Sequence, residues 1–206
     1  VKITISLPNQ LTILRMVLTP LLLYVLSKDG LTERYLSFLI FLIASLTDWY
    51  DGYVARRFGV SSKWGKFLDP LADKILVLST FFALAAKGLI ATWMVMAMAI
   101  RDLAVTGLRA YAWWKRQPVI TSAAAKWKTA SQMTALFLLL IFWILEKQAP
   151  GWLPHENGVT LIDRMIFVVT LITIATGLQY FVENWRHLKS LALAFYRVFM
   201  PSNLAK

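Results

Sequence analysis

YLSFLIFLIASLTDWYDGYVA, residues 35–55, decides the fold. It begins as an apolar run and closes on two aspartates, Asp48 and Asp51, with Gly52 directly behind them. A helix that crosses lipid needs about 20 mostly apolar residues. An ionised carboxylate inside such a run is costly enough to signal function. Five more stretches share this length and character, over 11–27, 67–87, 91–113, 129–145 and 161–182. Lipid does not tolerate unpaired backbone, and nothing here alternates as a barrel strand would, so all six are expected to be helices. The expectation is an all-α integral membrane protein with six transmembrane helices, short interfacial helices at the termini and a single domain over 1–206.

Composition agrees. Of 206 residues, 58% are hydrophobic and 16% charged, against about 45–50% and about 25% in soluble domains. A soluble core of this size could not hide so much apolar surface. The absence of cysteine excludes disulfides, thiolate nucleophiles and thiolate-bound zinc. The net charge of +11 points to anionic lipid head groups and phosphate-bearing substrates. Nucleic acid is not expected as a partner, because no basic stripe interleaved with aromatics stands clear of the apolar segments.

Basic residues set the orientation. The connections 28–34 and 146–164 and the turn at Lys87 carry balanced charge. The opposite side collects Lys2, Arg56, Arg57, Lys63, Lys66, Lys115, Arg116, Lys126, Lys128, Arg186, Lys189, Arg197 and Lys206. Both termini are therefore expected in the cytoplasm. The first apolar run is read as a retained helix rather than a cleaved leader. The tail 185–200 is read as an amphipathic interfacial helix.

Four acids lie at this cytoplasmic edge. Asp48 and Asp51 are spaced i, i+3 and Asp69 and Asp73 i, i+4, so each pair shares a helix face. The short 57–66 connection should make their helices antiparallel neighbours and let the pairs converge. Four carboxylates in one small volume need counter-cations. All-oxygen donors select hard divalent ions, Mg²⁺ or Mn²⁺, and two such ions are a known arrangement for phosphoryl displacement. Gly52 and Gly65 would let a base or a phosphate approach the backbone. Arg56 offers a fork of donors to a phosphate.

The full pattern is Asp48, Asp51, Gly52, Ala55, Arg56, Gly65, Asp69 and Asp73. It resembles the signature of the CDP-alcohol phosphotransferase family at every defining position. The resemblance implies a six-helix membrane fold, a homodimer, two divalent cations, a CDP-linked substrate and release of CMP. It assigns Asp48, Asp51, Asp69 and Asp73 to metal, with Asp73 also the catalytic base. It places Asp48, Asp51, Gly52, Ala55, Arg56, Gly65 and Asp69 around the CDP moiety.

The signature fixes the donor class and leaves the alcohol open. Arg101 and Arg109 lie just over two turns apart, so both can face one cavity. Lys126 and Lys128 open the fifth segment. These cations suit an acceptor that itself carries phosphate. Lys126 is preferred to Lys128, because residues two apart face differently. Asn9, Thr12 and Arg15 are further candidates. The stretches containing Pro8, Asn9, Thr12 and Arg15, then Arg101 and Arg109, then Lys126, Lys128, Thr129 and Gln132, resemble the bacterial phosphatidylglycerophosphate synthase branch. That implies CDP-diacylglycerol and glycerol 3-phosphate as substrates. It also implies a bacterial inner (cytoplasmic) membrane location, with a multi-pass chain and the active site facing the cytoplasm. Asp102 departs from the glutamate usual there and also fits cardiolipin synthases, which use phosphatidylglycerol. A cation-coupled transporter is the remote alternative, though it has no need of Arg56 and the spaced glycines. His155 and His187 are read as loop and interfacial residues.

Overall fold

The computed structural model describes residues 7–58, 65–115, 124–149, 155–156, 159–185 and 188–190. Six α-helices account for most of them: α1 (Leu7–Leu26), α2 (Leu31–Phe58), α3 (Gly65–Ala86), α4 (Thr92–Trp114), α5 (Ala124–Gln148) and α6 (Leu161–Glu183). Each covers one apolar stretch read from the sequence. Two short strands, β1 (His155–Glu156) and β2 (Val159–Thr160), pair antiparallel within the expected external loop. Of the tail expected to be an interfacial helix, Trp185 and residues 188–190 are helical, and residues 191–200 lie outside the described set.

The distribution of polarity is inverted relative to a soluble protein. Arg15, Asp51, Asp102, Lys128 and Gln132 are buried, while Val17, Ile100, Leu103, Leu178 and Val182 are all at least 60% exposed. Charges turned inward and bulky aliphatics turned outward suit a chain solvated by lipid. The segments Trp127–Gln148 and Leu161–Glu183 are long and apolar enough, by length and composition, to cross a membrane. Serine and threonine hydroxyls bond back to their own helices, as with Ser45 to the Phe41 carbonyl, Thr80 to Leu76 and Thr170 to Ile166. This satisfies them without water.

The helices do not pack in the order the sequence suggested. The short connection between α2 and α3 was expected to make them direct neighbours. Among the described residues, both pack mainly on α1 and touch each other slightly at most. On α1, residues Thr12, Arg15, Thr19, Leu22 and Leu26 form one buried stripe at i, i+3, i+4 spacing. A helix with polar residues at one end of that stripe and leucines at the other serves two environments. Its leucines join Phe41, Leu76, Phe81, Met98, Leu136 and Trp143 in the main core. Its arginine sits against the acids Asp48 and Asp51. The second half of the bundle is α4 and α5 packed on α6, with α5 also against α2.

The end remote from the aspartates is closed by specific contacts. Gly88 ends α3 in the left-handed region at φ 75°. The Leu89 amide donates to the Leu84 carbonyl at 3.1 Å and the Gly88 amide to Ala85 at 2.9 Å, the two bonds of a Schellman termination. Lys87 then reaches Asp29 at 2.5 Å. This hydrogen bond holds the Asp29 carboxyl below the usual carboxylate range. Lys87 and Arg34 also stand over the Trp143 indole, at 5.3 and 4.5 Å from its centre. One ring thus ties α2, α3 and α5 together. A side chain at residue 88 would have nothing within 4 Å, so Gly88→Ala tests backbone strain alone. The expected loss is about 1–2 kcal/mol, read as a lower midpoint in thermal unfolding of the purified protein, with Gly88→Asn less affected.

Candidate active site

At the acidic end, the side chain of Arg15 is fully buried. Its two terminal nitrogens divide between two carboxylates. Nη1 lies 2.6 Å from Asp48 Oδ1 and Nη2 donates to Asp51 Oδ2 at 2.8 Å. The i, i+3 spacing on α2 makes this possible, because it puts both acids within the span of one guanidinium. Asp51 is nearly buried, whereas Asp48 keeps about a third of its side-chain surface. Thr19 donates to the Arg15 carbonyl at 2.8 Å. Pro20 follows at once and leaves the Met16 carbonyl without its helical donor.

Asp73 approaches from α3. It lies within electrostatic reach of Asp48 and Arg15, and of Lys128 and Lys74. Its Oδ1 is buried and has no hydrogen-bond partner among the described residues. An orphaned buried carboxylate oxygen is costly unless a cation or donor meets it. Asp69 lies on α3 one turn earlier, with its side chain outside the described residues. Among the described residues, no three acidic or histidine side chains gather into a complete cation cage. The donor set nonetheless fits a hard divalent ion, with carboxylates from two helices and one oxygen that lacks a partner.

A second buried constellation joins α3, α4, α5 and α6. Asp102 is its centre. Arg101 Nη1 donates to Oδ1 at 3.0 Å, and Lys128 donates to Oδ2. Arg101 Nη2 donates to Thr176 at 3.2 Å. Lys74 donates to Thr106, which donates to the Asp102 carbonyl at 2.6 Å. One carboxylate thus faces two bonded cations, with Lys74 nearby, and Asp73 lies within electrostatic reach of Lys74 and Lys128 from the other side. Arg109 stands over the Tyr180 ring at 5.4 Å, so Arg101 and Arg109 both lie against α6.

Several candidates are placed only in part. Thr12 is buried and Gly52 half-buried. Asn9, Ala55, Arg56, Gly65 and Lys126 hold helical positions, and their side chains lie outside the described residues. Between Trp127 and Lys128, the tryptophan faces outward at 77% exposure and the lysine inward. Lys128, which the sequence reading ranked second, thus faces inward, and the facing of Lys126 lies outside the described residues.

Lys74, Thr106, Thr176 and Gly177 escaped that reading. A cation directly after a buried acid, within an apolar helix, was the available signal for Lys74. Gly177 had none, because its role is steric. A methyl group there would stand 2.6 Å from Arg101 Cγ.

The chain belongs to the CDP-alcohol phosphatidyltransferase family, whose model matches residues 5–195. It is an enzyme of that transferase class. It is 33% identical, over 90% of its length and 98% of the relative's, to CDP-diacylglycerol–glycerol-3-phosphate 3-phosphatidyltransferase of Bacillus subtilis (strain 168). The protein of the same name from Rickettsia bellii (strain RML369-C) is 32% identical over 87% of this chain and 96% of its own. A cardiolipin synthase (CMP-forming) of Oryza sativa subsp. japonica is 37% identical over 88% of this chain and 58% of its own.

The packing of Arg101 on α6 gives a direct test. Gly177→Ala should push the arginine stem away and cost about 1–3 kcal/mol. Thermal unfolding would show the loss, and Gly107→Ala, which meets nothing within 4 Å, should show much less.

Proposed function

We propose that the protein transfers the phosphatidyl group of CDP-diacylglycerol to glycerol 3-phosphate, giving phosphatidylglycerol phosphate and CMP. The observation that carries this reading is the pairing of two buried sites of opposite character. The acids Asp48, Asp51 and Asp73 lie at one, and the cations Lys74, Arg101 and Lys128 around Asp102 lie at the other. The first suits a cation-assisted phosphoryl transfer and the second an acceptor bearing its own phosphate. Names of relatives over nearly the whole chain support the same substrates.

Asp48, Asp51, Asp69 and Asp73 would hold two divalent ions, Mg²⁺ or Mn²⁺. When bound, such ions polarise the pyrophosphate and stabilise the leaving CMP. The chain's own residues do the rest. Gly52, Ala55, Arg56 and Gly65 shape the cytidine side. Arg101, Arg109 and a lysine of the Lys126–Lys128 pair orient the acceptor phosphate. Asn9 and Thr12 line the α1 side. Asp73 takes the proton from the acceptor hydroxyl as that oxygen bonds to the phosphorus bearing diacylglycerol, and the bond from that phosphorus to the CMP oxygen breaks. The lipid tails stay between helices and the polar acceptor enters from the cytoplasm.

Six spans, cytoplasmic termini, a bacterial inner-membrane location and a homodimer complete the proposal. The rice relative and the Arg101–Asp102 pair support phosphatidylglycerol as the alternative acceptor, with cardiolipin as product.

An acceptor panel separates these readings. Purified protein with CDP-diacylglycerol should release CMP with glycerol 3-phosphate and not with serine or inositol phosphate. Preference for phosphatidylglycerol would move the assignment to cardiolipin synthesis, and absence of CMP release with any alcohol would overturn both. Asp73→Asn should lower kcat about 10²–10⁴-fold while sparing binding of the CDP-lipid. Arg109→Ala should raise the acceptor KM about tenfold and change the donor KM little. An unchanged acceptor KM would remove Arg109 from the acceptor site.

A further inference from the structure

We infer that Arg15 is a built-in counter-ion, a positioning residue whose guanidinium clamps Asp48 and Asp51 together before any divalent ion arrives. This rests on the reading of those two acids as cation ligands. Three observations carry it. The side chain is fully buried and is the largest wholly enclosed one among the described residues. Its two terminal nitrogens engage one oxygen of each carboxylate, at 2.6 and 2.8 Å. It comes from α1, the helix on which α2 and α3 both pack.

The physical logic is one of charge and shape. Two carboxylates one helical turn apart repel, and in a low-dielectric interior that repulsion would splay them or force protonation. A planar guanidinium reaches both groups, hydrogen-bonding Asp51 through Nη2 and pairing its charge with Asp48 through Nη1, and so neutralises one charge while holding the two acids together. An ammonium group is a single point and cannot span both carboxylates in the same way. The clamp leaves the pair with net negative charge, so attraction for a divalent ion persists. That ion meets carboxylates already aligned, and the ordering cost falls on folding rather than on metal binding. Arg15 touches no reacting atom in this scheme and acts through Asp48 and Asp51.

The test uses the full chain in nanodiscs, with Mn²⁺ as the probe, and reads thermal midpoint and Mn²⁺ binding by electron paramagnetic resonance. Metal-free Arg15→Gln should unfold roughly 10 °C below wild type, because the nearly buried Asp51 and the partly exposed Asp48 lose a cationic partner. Mn²⁺ should raise its midpoint by roughly twice the wild-type increment or more, since the metal now supplies the missing charge. Arg15→Lys should recover only part of the metal-free stability. Adding Asp48→Asn and Asp51→Asn to Arg15→Gln should regain stability without metal, because amides need no counter-charge.

An unchanged metal-free midpoint in Arg15→Gln would overturn the clamp. So would a lowered midpoint that neither Mn²⁺ nor the two amide substitutions restore, which would mark ordinary packing. Full recovery by Arg15→Lys would overturn the two-point geometry. If wild type binds no Mn²⁺ while the amide substitutions still rescue Arg15→Gln, the clamp stands and the dinuclear reading fails.

Discussion

A charge that leaves water must find its partner inside the fold, and this bundle is organised around that constraint. Arg15 answers to Asp48 and Asp51. Asp102 answers to Arg101 and Lys128. Each set draws its members from different helices, so neither is satisfied until the helices are in place. Lipid-facing aliphatics add little to specificity, because lipid tails are as apolar as leucine. The buried ion pairs, the close approach at Gly177 and the Schellman end of α3 are the contacts that choose one arrangement over another.

Segment number and type were legible in the sequence because hydropathy over about 20 residues is a strong signal. The ends were less so. α2 continues through Phe58 and α1 begins at Leu7, beyond the apolar runs, because a helix persists into polar surroundings where hydropathy falls. Pro8 is tolerated there because the first turn has no intrahelical acceptor for its missing amide. Neighbour relations were the main error. A short connection suggested that α2 and α3 lie side by side, but nothing in their own residues reports that both pack mainly on α1. The polar stripe Thr12, Arg15, Thr19 on α1 was the clue, and it makes sense only once its partners are seen.

The site divides in the same way. The acids were readable from spacing along single helices, since i, i+3 and i, i+4 geometry is local. The bridges between them were not. The ion pair of Arg15 with Asp51 spans 36 residues of chain and that of Lys128 with Asp102 spans 26. No pattern within either segment names the other. The inward course of Lys128 was not legible for a related reason. Helical phase is measured against a neighbour, and the neighbour was unknown.

Placing the compensating cation on α1 has a consequence for how the protein is made. Translation delivers α1 before α2, so a positive group already waits near the bilayer when the acidic turn emerges from the ribosome. The acidic turn therefore meets its counter-charge as soon as α2 packs on α1. A chain with α1 moved behind α6 would deliver Asp48 and Asp51 ahead of Arg15 and lose this order of arrival.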